Sequence, residues 1–380
     1  MTTVAASPVL SRRRLGRATL ARQSLLDASS ADVVGALEAI GGLQAQEPAS
    51  PYIALWARLA AFEPGTLDRA LAERRLVKGT LMRRTVHIVS AADYRALWSA
   101  TQGPLERARR TDRRDVPDPS EVRDLRRFGA DFASQPRSLP ELRDAIGERD
   151  GRSADERVWW LRRVHPLVHV PDDGPWSFGR RPLLVDADAW LGPGEWPDPI
   201  GAMELLVRRY LGAFGPATIA DIARWAGMTV AAVRPGVEAV DDAGDLRTYR
   251  DEAGRVLADL AGAALPDEDV PAPPRLLPMW DSAVLAHDDR TRIISDEDRA
   301  RIIARNGDTL ASLFVDGVVA GRWWAVVDGA RARIELEPFR RLATPDRIVL
   351  EELADRLARF VEPLEPSVYA RYRRWRKDDA

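Results

Sequence analysis

Gln44-Ala45-Gln46 is the tripeptide whose side chains could most directly do chemistry. It follows a glycine pair, Gly41-Gly42, and precedes Glu47-Pro48. On an extended turn alternate side chains point the same way, so both carboxamides can face one pocket. An amide is a weak base, but its oxygen can hold a water and its dipole can stabilise a nearby positive charge. Taken alone, the tripeptide reads better as a polar turn that caps the following helix.

A second polar group comprises Thr80, Arg83, Arg84, Thr85 and His87. Thr85 and His87 stand two apart, on one face of a strand, and could line a site or touch phosphate. A single strand histidine is more often a hydrogen-bonded structural residue. His165 and His169 have the i, i+4 spacing of a helical metal pair, but Pro166 and the β-branched neighbours argue against a helix there. The chain has no cysteine, which excludes disulfides and thiolate chemistry. It also lacks a glycine-rich phosphate loop and a dinucleotide fingerprint. No metal and no other cofactor is expected. Trp280-Asp281-Ser282 and His287-Asp288-Asp289-Arg290-Thr291-Arg292 flank a short apolar run; a polar loop there could reach a groove, or simply be solvated.

The elements that must position these groups are legible from periodicity. From Ser30, a plausible N-cap, Val33, Val34, Leu37, Ile40 and Leu43 recur at helical spacing, and the glycine pair lets the chain turn near Gln44. A second helix is expected after Pro48 or Pro51 and a third over 66–75. Leu76–Met82 and Thr85–Val89 then read as a hairpin, followed by a helix capped by Ser90. Three helices and a two-stranded hairpin is the order of a winged-helix module.

That order recurs. Ser138-Leu139-Pro140-Glu141-Leu142 opens a helix, another covers 155–163, and Leu167–Val170 with Trp176-Ser177-Phe178 would form the wing. Later, 202–214 is amphipathic, and Thr218–Gly227 followed by a helix from Thr229 reads as a helix-turn-helix whose wing begins at Leu246. Pro266–Pro274 reads as a linker. Beyond it, 310–315, 318–327 and 332–336 are strands broken by Asp316-Gly317 and Asp328-Gly329. A final helix is expected over 344–360. The expected class is α+β: three tandem winged-helix modules and a C-terminal β-barrel-like domain, divided at 1–112, 113–197, 198–265 and 266–380.

At 380 residues and 45% hydrophobic content the chain is long enough for several modules. All but two of the 56 basic residues are arginine, the exceptions being Lys78 and Lys377, a skew that suggests a high-GC coding sequence. The net charge of −2 runs against a simple nucleic-acid binder, so any DNA contact must come from charge arranged on one face. No apolar run is long enough to span a membrane and no secretory signal is evident, which makes the cytoplasm the expected compartment.

Several blocks together resemble the AlkZ/YcaQ-like bacterial DNA glycosylases. They are Gly41-Gly42-Leu43-Gln44-Ala45-Gln46, Pro48-x-Ser50-Pro51-Tyr52, Thr80–His87, Leu277-Pro278-Met279-Trp280-Asp281, Asp289-Arg290-Thr291-Arg292 and Val315–Trp323. In that family a Gln–apolar–Gln motif marks the AlkZ-like branch and Gln–apolar–Asp the YcaQ-like branch; Gln44-Ala45-Gln46 fits the first. The resemblance implies a C-shaped protein with a basic concave face for damaged duplex DNA, acting as a monomer. It implies hydrolysis of the N-glycosidic bond of N7-alkylated purines, in some members at interstrand crosslinks, in repair or antibiotic self-resistance. Gln44 and Gln46 would be catalytic, and Ser50, Thr80, Arg83, Arg84, Thr85, His87, Trp280, Asp281, Arg290 and Arg292 would face DNA. Two other readings use the same elements: a non-catalytic winged-helix transcription factor, and a scaffold for protein assembly.

Overall fold

The structure, a computed structural model, describes residues 7–102, 116–149, 151–179, 181–329 and 331–375. The expected division between residues 112 and 113 and the second lysine, Lys377, lie outside them.

The first helices are Arg12–Arg22, Val33–Ala39, Ala49–Arg58 and Pro64–Ala72. Asp32, rather than Ser30, caps the second, its carboxylate accepting from Gly35 N at 2.8 Å. That helix ends where two left-handed glycines follow in succession, at φ +76° and +80°. Gly42 N–H returns to Leu37 O at 2.8 Å and Gly41 N–H to Glu38 O at 3.4 Å, the paired bonds of a Schellman ending. A side chain at Gly42 would place its Cβ 2.7 Å from Val89 Cγ1. Only glycine lets the chain swing directly from this helix into the strand Leu43–Gln44.

That strand is the edge of a six-stranded antiparallel sheet ordered Leu43–Gln44, Val86–Ser90, Leu76–Thr80, Leu167–Val170, Leu183–Asp186 and Arg137–Ser138. The hairpins expected of the first two modules therefore share one sheet, through Lys78 opposite His169 and Gly79 opposite Val168. Trp176-Ser177-Phe178 is not the outer strand that was expected. Trp176 and Ser177 take left-handed φ of 60° and 56° in a tight turn, and Leu183–Asp186 fills the place.

Alternation divides the sheet into two faces. Leu43 and Ile88 enter a core shared with Tyr52, Ile53, Trp323 and the helix Thr344–Val361. Val77, Val89, Val168 and Val185 enter another, shared with the helices Pro199–Phe214, Ile219–Ala226 and Val230–Asp242. The last two form a helix-turn-helix, with Thr218 and Asp221 in a capping box and Gly227 left-handed at the turn.

The C-terminal region is not the expected barrel. Arg275–Leu277, Ser312–Val315, Val318–Asp328 and Arg331–Pro338 form an open four-stranded antiparallel sheet. Four strands are too few to close a barrel around packed side chains. Instead the helix Thr344–Val361 lies against the sheet and buries Leu350, Leu357 and Val361. The Asp316-Gly317 turn does form, with both φ positive.

Buried arginines tie these parts together. Arg58, 1% exposed, donates two hydrogen bonds to Asp281, at 2.8 and 2.7 Å, and a third to Ala54 O. Its Nη2 also reaches Gln23 Oε1 at 3.3 Å, and Gln23 Nε2 donates to Ile40 O and Ala213 O. Arg22 makes a second buried bidentate pair with Asp259. Removing one partner of such a pair strands the other charge in the interior. Arg58→Met is expected to cost about 3–5 kcal/mol, read as a fall in the urea midpoint.

Lys78 presents a different case. Its ammonium lies 3.8 Å from the centre of the Phe178 ring, and burial holds its pKa down at about 7 despite the nearby Asp172. The unfolded chain, with an ordinary lysine pKa of ~10.4, binds more protons above neutrality, so this group makes stability rise with pH between about 7 and that value. Lys78→Met is expected to remove that slope and to raise Tm most below neutral pH; thermal melts from pH 6 to 10 check both.

Candidate active site at the Gln44 edge

Gln44 pairs across the sheet edge with His87, and His87 pairs with Gly79, so these three positions share one face. Gly79 is bare because the Tyr94 ring covers it; a Cβ there would come within 2.7 Å of that ring. The hairpin between the two strands closes through a tight turn at Met82–Arg84, in which Arg83 and Arg84 both adopt left-handed φ, 53° and 58°. Such conformations cost of order 1–3 kcal/mol at non-glycine residues and persist only where surrounding contacts impose them.

The contacts are specific. Arg83 Nη2 donates to Gln44 Oε1 at 2.8 Å, and Nη1 donates to Trp225 O at 2.8 Å at the end of the first helix of the helix-turn-helix. The Arg83 backbone abuts Gly227, where an added Cβ would sit 2.7 Å from Arg83 Cα. Arginine carries only donors, so the carboxamide of Gln44 must turn its oxygen toward Arg83. One oxygen lone pair and both N–H donors remain for a ligand.

His87 is buried and neutral. Its Nδ1 donates to Thr85 O at 3.0 Å, which leaves Nε2 as an acceptor facing Arg83 Nη2 at 3.5 Å. Burial, and then the Arg83 charge, push its pKa down to about 3. Burial also lowers Arg83 to about 10, with Arg290 and Arg224 adding repulsion. Among the described residues no carboxylate bonds to Gln44, Arg83 or His87. The nearest acid in sequence, Glu47, accepts from Tyr372 Oη and pairs with Arg371.

Gln46 has a different setting. Ala45 is buried and its N–H is held by Val86 O at 2.8 Å, while Gln46 is exposed and has no side-chain hydrogen bond among the described residues. One amide is thus clamped and the other is free to reorient. The pair offers fixed and adjustable dipoles at one strand end, with no ionised base between them.

Comparison with known proteins is decisive at this point. Residues 37–360 match the model of a family described as "DNA glycosylase AlkZ-like". The chain belongs to the AlkZ-like DNA glycosylase family. It is an enzyme, which displaces the non-catalytic transcription-factor and scaffold readings. It is 27% identical over 318 residues to the interstrand DNA cross-link repair glycosylase of Streptomyces sahachiroi, covering 78% of this chain and 82% of the relative. The solved structure of the Streptomyces sahachiroi DNA glycosylase AlkZ shares the fold, with a TM-score of 0.75, 19% identity, and coverage of 94% of this chain and 98% of that one.

The fold brings some of the expected residues of this glycosylase together and separates others. Gln44, Arg83 and His87 form one bonded group. Thr80 and Thr85 are half-buried at the same hairpin, with Thr85 Oγ1 donating to Met82 O, and Arg84 is exposed. Ser50, expected to face DNA, is 2% exposed and its hydroxyl bonds Tyr369. Asp281 is consumed by Arg58, Trp280 packs edge-on against Tyr372, and Arg292 donates to Pro216 O in the interior. In the structure these groups are occupied by partners within the chain. Arg224, Trp225 and Gly227 were not singled out individually; the available signal was the helix-turn-helix pattern itself.

Gly227→Ala tests whether the Arg83 contact matters. The left-handed backbone costs roughly 1–2 kcal/mol at a non-glycine residue, and the added Cβ also pushes on Arg83. Gly244 is left-handed too, at φ +76°, but has nothing within 4 Å of an added Cβ. Both alanine variants are expected to lose Tm, and only Gly227→Ala to lose single-turnover excision rate on damaged duplex DNA.

Proposed function

We propose that this glycosylase hydrolyses the N-glycosidic bond of N7-alkylated purines in duplex DNA, with Gln44 and Gln46 as the catalytic pair. The observation that carries the reading is that, among the described groups bonded to Gln44, there is no carboxyl group to serve as acid or as base. A neutral purine needs protonation before it departs, and neutral His87 and two amides offer no strong acid. An N7-alkylpurine is already a cation and leaves as a neutral base. The C1′–N9 bond breaks with its electron pair going to the purine, water oxygen bonds to C1′, and the released proton passes to solvent.

In that sequence the amides have two tasks: holding water against C1′ and stabilising positive charge on the sugar. Gln44, fixed by Arg83, supplies a preorganised dipole; exposed Gln46 can follow the substrate. Interstrand crosslinks fit the same chemistry. A crosslinked purine cannot be fully flipped out while tethered to both strands, unlike the usual extruded base. An exposed amide at a strand edge can meet such a lesion within the duplex. The Streptomyces sahachiroi relative is an interstrand cross-link repair glycosylase, which supports including crosslinks. The monomeric, C-shaped tandem winged-helix arrangement and a role in self-resistance belong to the same proposal.

The test uses duplexes carrying N7-methylguanine or a nitrogen-mustard crosslink, heated in alkali after incubation to reveal abasic sites. Wild type is expected to produce strand breaks, and Gln44→Ala and Gln46→Ala each to slow single-turnover excision roughly 100-fold. Gln46→Asp, which restores the Gln–apolar–Asp pattern of the YcaQ-like branch, is expected to remain active. Full activity in both alanine variants sinks the site assignment; no breaks on any such substrate sinks the lesion class.

A further inference from the structure

Most buried arginines of this chain have a visible occupation: Arg22 bonds Asp259, Arg58 bonds Asp281, and Arg292 bonds Pro216 O. Arg290 does not. It is 8% exposed, its Nε is fully covered without a partner, and its side chain has no hydrogen bond or ion pair among the described residues. A cation removed from water without an acceptor is costly and needs an explanation. Nε alone is sealed, so the terminal amino groups keep an opening to the surface.

Its surroundings deepen the problem. The loop that carries Arg290 is seated on the helix-turn-helix through Asp288 N, which donates to Asp221 Oδ1 at 2.8 Å. The Arg290 carbonyl accepts from Ile293 N and Ile294 N, both at 2.8 Å, so the residue is held rigidly. Arg224 and Arg299 repel its guanidinium, and Arg83 and Arg290 repel each other. Asp288 and Asp221 offset this only in part: Asp288 pairs with Arg224 at 3.0 Å, and Asp221 is used by Thr218 and Asp288.

We propose that Arg290 is the seat of a single backbone phosphodiester of the DNA duplex, with Arg224 and Arg83 flanking it. The inference rests on the reading of this surface as the DNA-acting site and goes beyond it. It assigns one phosphate to one residue, and it gives that phosphate a second task. Arg83 is bonded to Gln44, where a cationic base and a developing sugar cation must be tolerated. An anion seated on Arg290 offsets the arginine cluster, so that the positive charge the base brings can dock beside it and pass to the sugar.

The experiment measures binding of the full chain to a short duplex by fluorescence anisotropy as a function of salt, with wild type and Arg290→Gln. One phosphate contact contributes about 0.9 to the slope of log affinity against log salt, and the variant is expected to lose about that much. A scan of single methylphosphonate substitutions around the lesion then locates the phosphate. Wild type is expected to weaken at one position to which Arg290→Gln is indifferent, while the remaining positions affect both proteins alike. Arg290→Met, without DNA, is expected to melt no lower than wild type, because it relieves an unpaired buried charge. An unchanged salt slope, identical methylphosphonate profiles, or a large fall in Tm for Arg290→Met would each overturn the proposal. Excision is not the readout, so a protein that fails to excise N7-methylguanine can still show the phosphate seat, and the reverse.

Discussion

The buried Arg58–Asp281 pair is the constraint on which the relative placement of the functional pieces depends. Arg58 sits on the helix that follows the Gln44–Gln46 turn, and Asp281 begins the segment that leads to Arg290. Gln23 extends the same group to Ile40, immediately before the glycine pair, and to Ala213 at the end of the helix that precedes the helix-turn-helix. Five stretches of chain therefore meet at one guanidinium and one carboxamide. The energetics are those of satisfaction rather than attraction. In a low-dielectric interior each of these groups is expensive unless every neighbour is in place, so the assembly forms together or fails together. That cooperativity suits an enzyme whose site spans segments far apart in sequence.

Arg83 is the second such device, and it works at the surface. Two left-handed arginines in one hairpin turn are an unfavourable local choice, held by Trp225 O on one side and Gln44 on the other. The strain is balanced by what it achieves. A cation with donors only fixes which end of the Gln44 amide points inward, and the touching Gly227 ties that choice to the helix-turn-helix.

Much of this was legible in the sequence where local chemistry decides structure. Gly41-Gly42 announced the turn into Gln44, Ser138 with Glu141 announced a helix start, and Gly227 announced the helix-turn-helix, because each satisfies backbone groups within a few residues. Asp32 rather than Ser30 is the cap because the helix starts at Val33, which puts the Asp32 carboxylate in reach of Gly35 N. What escaped was non-local. The pairing of Lys78 with His169 across nearly a hundred residues leaves no signature in either strand, and Leu183–Asp186 could not be preferred over Trp176–Phe178 before the tight turn was known. The open C-terminal sheet could not be told from a barrel in the sequence, because strands and turns read alike in both and closure depends on how many strands pair. The site residues divided in the same way: the bonded trio of Gln44, Arg83 and His87 was named, yet Ser50, Asp281 and Arg292 were taken for surface groups. An arginine or aspartate in a motif does not announce whether its partner is a phosphate or another side chain.

That last ambiguity explains how a DNA-acting protein can carry a net charge of −2. Many of its arginines are spent inside the chain on carboxylates and carbonyls, so overall charge says little about the DNA face. What matters is the small set whose charge no carboxylate fully offsets, Arg290 above all with Arg83 and Arg224 repelling it, beside a site where a cationic base must be tolerated. Two cations about 6 Å apart repel by roughly 3 kcal/mol at an effective dielectric of ~20. A penalty of that size, met as soon as the cationic base docks, weakens binding about a hundredfold. A cationic cluster beside Gln44 is thus tolerable only if an anion arrives with the substrate. DNA brings that anion on its backbone, so the feature that binds the duplex is also the one that must be neutralised before a cationic base can dock beside it.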